Sequence, residues 1–122
     1  MSLDILIAED EFITALQLED QLLEDGLNVL GIVDTAERAV NFVQKQPPHL
    51  VLLDIRLKGE MDGIEAARIF NNLKIPVIFL SAYADKDTRA RMAEINYYAF
   101  INKPFDIDEI RSVISNFKEE LE

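Results

Sequence analysis

Several residue types are missing or scarce in this chain of 122 residues, and their absence excludes classes of function. There is no cysteine, which excludes disulfide bonds, thiolate metal sites and cysteine nucleophiles. The four glycines and four prolines form no low-complexity stretch. The single histidine, His49, follows two prolines and has no catalytic partner nearby in the sequence, so we assign it no role.

Basic residues and long apolar runs are also lacking. Twelve Lys and Arg against 23 Asp and Glu give a formal net charge of −11. That charge argues against direct binding to nucleic acid or to an anionic membrane, because both attract a basic surface. No apolar run approaches the roughly 18 residues of a membrane span, and the first residues do not resemble a signal peptide. We therefore expect a cytoplasmic protein.

What the chain does contain is an alternation of short apolar runs with longer amphipathic segments. The apolar runs are LDILIA, NVLGIV, LVLL, PVIFL and YYAFI. Five strands that alternate with five helices predict an α/β fold, with a parallel sheet between two layers of helices. We expect one domain over residues 1–122, with the flavodoxin-like strand order 2-1-3-4-5 that is common for five βα units.

Local signals predict where the helices begin and end. Gly26 stops a first helix that starts at about Glu11. Capping-box patterns predict the starts of three further helices, at Asp34–Glu37, Asp62–Glu65 and Asp106–Glu109. The fourth helix, from about Asp85 to Glu94, is rich in arginine and poor in large apolar residues, which is typical of a mobile element.

Polar side chains stand where four of the predicted strands end. They are Glu9 and Asp10 after the first strand, Asp54 after the third, Ser81 after the fourth and Lys103 after the fifth. Parallel strands end at one edge of the sheet, and ligands bind there. Three converging carboxylates would repel one another unless a cation joined them, and Mg²⁺ suits an all-oxygen site. One carboxylate can then attack phosphorus while the ammonium and the hydroxyl stabilise the phosphoryl oxygens.

Four pieces of sequence carry a resemblance to a known family. They are ILIAEDE, VLLDIRLKGEMDGIEAA, PVIFLSAYAD and AFINKPFDIDEI, in that order. In these pieces the chain resembles the receiver domain of two-component response regulators over essentially its whole length. The resemblance implies that Asp54 accepts a phosphoryl group from a sensor histidine kinase or a phosphotransfer protein. It also implies a signalling module that catalyses only its own phosphorylation and dephosphorylation.

The resemblance implies a role for each residue at the strand ends. Asp10 and Asp54 would bind Mg²⁺ or Mn²⁺ through their side chains, the backbone carbonyl of Arg56 would be a third ligand, and Glu9 would act through water. Glu9 departs from the family, in which two aspartates are commoner. Asn96 stands where a glycine is frequent, and asparagine is among the few residues that tolerate positive φ.

The resemblance also implies a switch. Ser81 would be the switch hydroxyl, Lys103 would pair with the phosphate, the peptide bond before Pro104 would be cis, and Phe100 would be the aromatic switch residue on the fifth strand. The fourth helix, fifth strand and fifth helix would then present a changed surface to an output partner that the sequence does not name. A homodimer through the last two elements is left open, since nothing in the sequence supports or excludes it.

Arg56 and Tyr83 lie two residues beyond Asp54 and Ser81, and we expect them to flank the phosphoryl group and hinder attacking water. Other interpretations stay open at this point. Acidic residues at strand ends are often solvated loop charge, and Phe100 is compatible with an ordinary core residue. A receiver that serves only as a protein-binding scaffold is one alternative. A haloacid-dehalogenase-like phosphatase is another, although it would want an aspartate at the position of Arg56.

Overall fold

In the computed structural model, which describes residues 2–82 and 84–122, five strands alternate with five helices. The strands are β1 (Asp4–Ala8), β2 (Asn28–Val33), β3 (Leu50–Asp54), β4 (Val77–Ser81) and β5 (Ala99–Asn102). The helices are α1 (Phe12–Glu24), α2 (Ala36–Lys45), α3 (Gly63–Asn72), α4 (Lys86–Met92) and α5 (Ile107–Leu121). None of these helices is long and apolar enough to cross a membrane.

The strands form one parallel sheet in the order β2-β1-β3-β4-β5. The predicted flavodoxin-like α/β architecture and its strand order are confirmed. In the centre of the sheet Ala8 pairs with Leu53, so Glu9 and Asp54 come next on neighbouring strand ends. On the other side of β3, Asp54 pairs with Leu80, and Ser81 stands one residue further along β4. The register therefore places the predicted site residues at one edge.

Alternate residues of each strand face opposite sides of the sheet, and each side has its own buried core. One core includes Leu53 and Phe79, which pack with residues of α2, α3 and α4 such as Phe70. The other includes Leu52 and Leu80, which pack with residues of α1 and α5. All five residues of β3 and of β4 are buried. Burial on both faces explains why these strands read as continuous apolar runs.

The helix starts agree with the capping predictions at two positions out of three. Asp62 is the N-cap of α3, and Asp106 is the N-cap of α5. Asp34 is not the N-cap of α2, so that prediction was wrong. The adjacent Thr35 takes the position, with its hydroxyl accepting from the backbone N–H of Arg38 at 3.0 Å. Asp34 instead forms an ion pair with Arg38 at 2.9 Å, one helical turn away.

Two pairs of hydrogen bonds connect residues at the edge of the sheet opposite the predicted site. The backbone N–H of Asp4 donates to Nδ1 of His49 at 2.9 Å, and the N–H of His49 donates to the carbonyl of Asp4 at 2.8 Å. Before β5, the side chain of Asn71 donates to the carbonyl of Asn96 and accepts from its N–H, both at 2.7 Å. Asn96 does not have the positive φ that its position suggested, and Lys74 does.

Candidate functional site

The structure brings three of the predicted carboxylates together at the carboxyl edge of the sheet. Glu9, Asp10 and Asp54 each offer an oxygen, and these oxygens lie within 4.8 Å of one another. The side chains of Glu9 and Asp54 are almost fully buried, and Asp10 is half-buried. Such a group of oxygen donors suits a hard divalent cation.

Lys103 neutralises part of this negative charge. Its ammonium contacts Oε1 of Glu9 and lies 3.2 Å from Oδ2 of Asp54 and 3.2 Å from Oε1 of Glu11. Burial by itself would lower the pKa of Lys103, but the hydrogen bond to Glu9 and the charges of Asp54 and Glu9 outweigh it. The pKa of Lys103 is therefore raised above its ordinary value, and the group is a permanent cation in the site.

Glu9 is the carboxylate in the least favourable surroundings. Burial, together with the neighbouring carboxylate of Asp54, raises the pKa of Glu9 to about 8, although Lys103 opposes this. Its second oxygen, Oε2, is buried and has no hydrogen-bond partner among the described residues. A buried carboxylate oxygen without a donor, beside two further carboxylates, fits a site that a cation completes.

The position of Asp54 is fixed by its strand and by the loop that comes after it. The backbone N–H of Arg56 donates to Oδ1 of Asp54 at 3.1 Å, which leaves Oδ2 for Lys103. Gly63 packs against the same backbone, and its N–H donates to the carbonyl of Ile55 at 2.8 Å. A Cβ at Gly63 would lie 2.3 Å from the carbonyl oxygen of Asp54. Only glycine allows the start of α3 to come so close.

Ser81 and Lys103 are held together through the main chain. Ser81 is buried at the end of β4, and its carbonyl accepts from the N–H of Lys103 at 2.8 Å. The peptide bond between Lys103 and Pro104 is cis. Both side chains therefore stand at the edge where the carboxylates meet.

Phe100 lies in a different setting from these residues. It is half-buried against the core on the side of α2, α3 and α4. It lines an open pocket of about 350 Å³ with residues that include Ala84, Met92 and Tyr97. Tyr83, the other predicted aromatic residue, lies outside the described residues.

Sequence reasoning missed two charged residues, one in contact with the site and one that joins α4 to the start of α3. The helix pattern predicts Glu11 only as the start of α1. Glu11 comes directly after Glu9 and Asp10, and this run of three acidic residues is the sequence signal that could have identified it. Arg91 of α4 forms a forked contact with the carboxylate of Asp62, at 2.7 and 3.0 Å. No local sequence pattern predicts that contact, because 29 residues separate its partners in the sequence.

The fold of this chain matches that of known proteins. The family described as "Response regulator receiver domain" matches residues 5–115 of the sequence. The chain belongs to this family. It is a receiver domain of the kind found in two-component signalling proteins.

Two curated relatives show how receiver domains are used in proteins of different length. Sporulation initiation phosphotransferase F of Bacillus subtilis is 32% identical over 119 residues, which cover 96% of this chain and 94% of that protein. Transcriptional regulatory protein PdtaR of Mycobacterium tuberculosis is 31% identical over 120 residues, which cover 94% of this chain but only 58% of that protein. The receiver domain thus spans little more than half the length of PdtaR.

Two solved structures match the receiver domain closely. The signal receiver domain of a modulated diguanylate cyclase from Desulfovibrio desulfuricans has a TM-score of 0.89 and 32% identity, covering 99% of this chain and 98% of that one. The receiver domain of sensor histidine kinase PA1611 from Pseudomonas aeruginosa has a TM-score of 0.83 and 25% identity, covering 95% and 97%. In that second structure a magnesium ion is coordinated in the active-site cleft.

Proposed function

We propose that this receiver domain accepts a phosphoryl group on Asp54 from a phosphohistidine of a sensor histidine kinase or a phosphotransfer protein. The observation that carries the proposal is the Asp54 carboxylate at the end of a buried strand, 3.2 Å from the ammonium of Lys103 and within 4.8 Å of the acidic pair. An oxygen of Asp54 attacks phosphorus and forms the O–P bond of an acyl phosphate. The P–N bond to the imidazole breaks, and its electron pair stays on the imidazole nitrogen.

The residues present fit a Mg²⁺ or Mn²⁺ ion. Asp10 and Asp54 would hold it through their side chains, the backbone carbonyl of Arg56 would be a further ligand, and Glu9 would act through water. When bound, the ion offsets the negative charge of the carboxylates and of the phosphoryl oxygens. The buried Oε2 of Glu9, which lacks a partner among the described residues, supports this assignment.

Lys103 and Ser81 act on the phosphoryl group rather than on the attacking oxygen. Lys103 is already 3.2 Å from Oδ2 of Asp54, so its ammonium is placed to pair with a phosphoryl oxygen there. The hydroxyl of Ser81 donates a hydrogen bond to another phosphoryl oxygen. As Ser81 moves towards the phosphate, Phe100 turns inward, and the surface of α4, β5 and α5 changes.

The test of phosphoacceptance is intact-mass spectrometry after incubation with acetyl phosphate, with and without Mg²⁺. We expect one added phosphoryl group that depends on Mg²⁺ and is absent in Asp54→Asn. Asp34→Asn, which removes a carboxylate from the start of α2, is the matched control and should behave as the parent. No addition to the parent under conditions where Mg²⁺ binding is measured directly would contradict the proposal.

Two further variants test the switch and the lifetime of the phosphoryl group. Ser81→Ala should still accept the phosphoryl group, but hydrogen exchange in α4 should respond to it less than in the parent. An unchanged response would contradict the switch.

The double variant Arg56→Ala/Tyr83→Ala should lose the phosphoryl group faster than the parent, because less bulk hinders water. Slower loss would show that these side chains do not protect it.

A further inference from the structure

The side chain of Glu11 does not cap the helix that begins after it. Glu11 is the N-cap residue of α1, yet its carboxylate makes no hydrogen bond to the first turn of that helix. The carboxylate lies instead 3.2 Å from the ammonium of Lys103. The side chain of Glu11 is 65% exposed, whereas that of Lys103 is only 11% exposed. Glu11 therefore approaches the lysine from the solvent side.

This placement puts Glu11 at the mouth of the site. It lines an open pocket of about 330 Å³ together with Thr14, Gln17, Lys103, Pro104 and Phe105. Glu11 and Lys103 both line this pocket, and the side chain of Glu11 is the more exposed of the two. Among the carboxylates that contact Lys103, Glu9 and Asp54 are buried, and only Glu11 faces solvent.

The negative charge of the carboxylates around Lys103 opposes the approach of an anionic phosphodonor. The ammonium of Lys103 contacts Glu9, Glu11 and Asp54, and Asp10 lies beside Glu9 and Asp54. A phosphodonor carries negative charge, so a further carboxylate at the mouth repels it and also occupies the cation that it needs. Unlike the acidic pair, Glu11 is not among the residues that the resemblance assigns to the metal.

We propose that Glu11 is a positioning residue that holds Lys103 in the resting state and slows the entry of anionic phosphodonors. The phosphoryl group must displace the Glu11 carboxylate from Lys103 as it arrives. The inference rests on the proposed function, because it concerns the rate at which Asp54 is phosphorylated. Glu11 would slow phosphorylation most for small anionic donors, which lack a surface that docks on the receiver domain.

The test compares initial rates of phosphorylation by acetyl phosphate in the parent and in Glu11→Gln. Mg²⁺ is held at saturation, established by titration of each variant, because the loss of a carboxylate also weakens cation binding. We expect Glu11→Gln to react about three- to tenfold faster at low salt. Asp20→Asn is the matched control, since it removes one exposed charge from the same helix about 14 Å further along. It should react within about 1.5-fold of the parent.

The salt dependence separates an electrostatic role from a merely structural one. The gain in Glu11→Gln should shrink towards that of the control as the salt concentration rises to about 0.5 M, because screening weakens the repulsion. An unchanged or slower rate in Glu11→Gln, or a gain that salt leaves untouched, would overturn the inference while the proposed function stands. If the parent itself accepted no phosphoryl group, the proposed function would fall and the inference with it.

Discussion

Helices α3 and α4 begin alike but are anchored very differently. Each comes after a strand that ends in a site residue, Asp54 or Ser81. Each has an aspartate as its N-cap, and the cap accepts from the backbone N–H three residues on. Asp62 does so at 2.9 Å from Glu65, and Asp85 does so at 2.7 Å from Thr88. The same local signal starts both helices.

The difference lies in how much of each helix is buried beyond its cap. Helix α3 has ten residues, of which Gly63, Ile64, Ala66, Ala67 and Phe70 are buried. Helix α4 has seven residues, and Met92 alone is buried. Among the described residues, Arg91 of α4 forms the fork with Asp62 and a longer ion pair with Glu65 at 4.0 Å. Just after α4, Glu94 pairs with Arg68 of α3 at 3.3 Å. Capping thus starts a helix, whereas buried apolar area holds it in place, and α4 has much less of that area than α3.

The largest effects should come from removing one buried anchor from each helix. Phe70→Ala should lower the free energy of unfolding by about 3–5 kcal/mol, because the ring is fully buried and its removal leaves a cavity in the core. Met92→Ala should cost about 2 kcal/mol, since Met92 already borders an open pocket. Urea unfolding of both variants provides the values. Equal losses would contradict the difference in anchoring.

The first helical position gives a second matched pair. Gly63→Ala should destabilise the protein by about 1–3 kcal/mol, because its new methyl group would collide with backbone atoms of Asp54 and Ile55. Lys86→Ala changes the exposed first residue of α4 and should alter stability by less than about 0.5 kcal/mol. Thermal unfolding checks both values. A neutral Gly63→Ala would show that β3 and α3 can separate freely.

A smaller effect is expected when the fork between α4 and α3 is removed. Arg91→Gln should raise the rate of amide hydrogen exchange in α4 by about fivefold and leave α3 unchanged, because a partly exposed ion pair contributes about 1 kcal/mol or less. Arg38→Gln breaks a more exposed pair on α2 and serves as the control. Faster exchange in both helices, or in neither, would contradict a local attachment of α4.

The smallest effect is the pH dependence of the same fork. Burial would raise the pKa of Asp62, but the hydrogen bonds from Arg91 and from the backbone N–H of Glu65 outweigh it and hold the pKa below its ordinary 3.8. The stability that this carboxylate contributes is therefore present above that value and is lost as the pH falls through the lowered pKa. The difference in melting temperature between the parent and Arg91→Gln should be constant above about pH 5 and should narrow towards about pH 3. A difference in melting temperature that grows as the pH falls would contradict the predicted direction.

Much of the fold and of the site was predictable from the sequence, for physical reasons. Continuous apolar runs marked the strands buried on both faces, and parallel pairing then required Asp10, Asp54, Ser81 and Lys103 to stand at one edge. The error at Asp34 arose because Asp34 and Thr35 are both good N-cap residues and sequence alone does not choose between them.

The contacts of long charged side chains were not predictable. Lys103 and Glu11 are separated by 92 residues, and Arg91 and Asp62 by 29. Their meeting depends on how elements pack and on which rotamers the side chains adopt, and neither leaves a periodic pattern in the sequence. The reciprocal hydrogen bonds between Asn71 and Asn96 were likewise not predictable, because 25 residues separate the two in the sequence.

The position of the phosphoryl group on the chain is the most direct measurement of whether Asp54 is the acceptor. After incubation with acetyl phosphate and Mg²⁺, sodium borohydride reduces an acyl phosphate of aspartate to homoserine, and peptide mass spectrometry finds the altered residue. We expect homoserine at position 54 and no reduction at positions 9, 10 or 11, where the other carboxylates of the site stand. Reduction at Asp10 in place of Asp54, or a phosphorylated chain with no reducible aspartate, would contradict the assignment of Asp54.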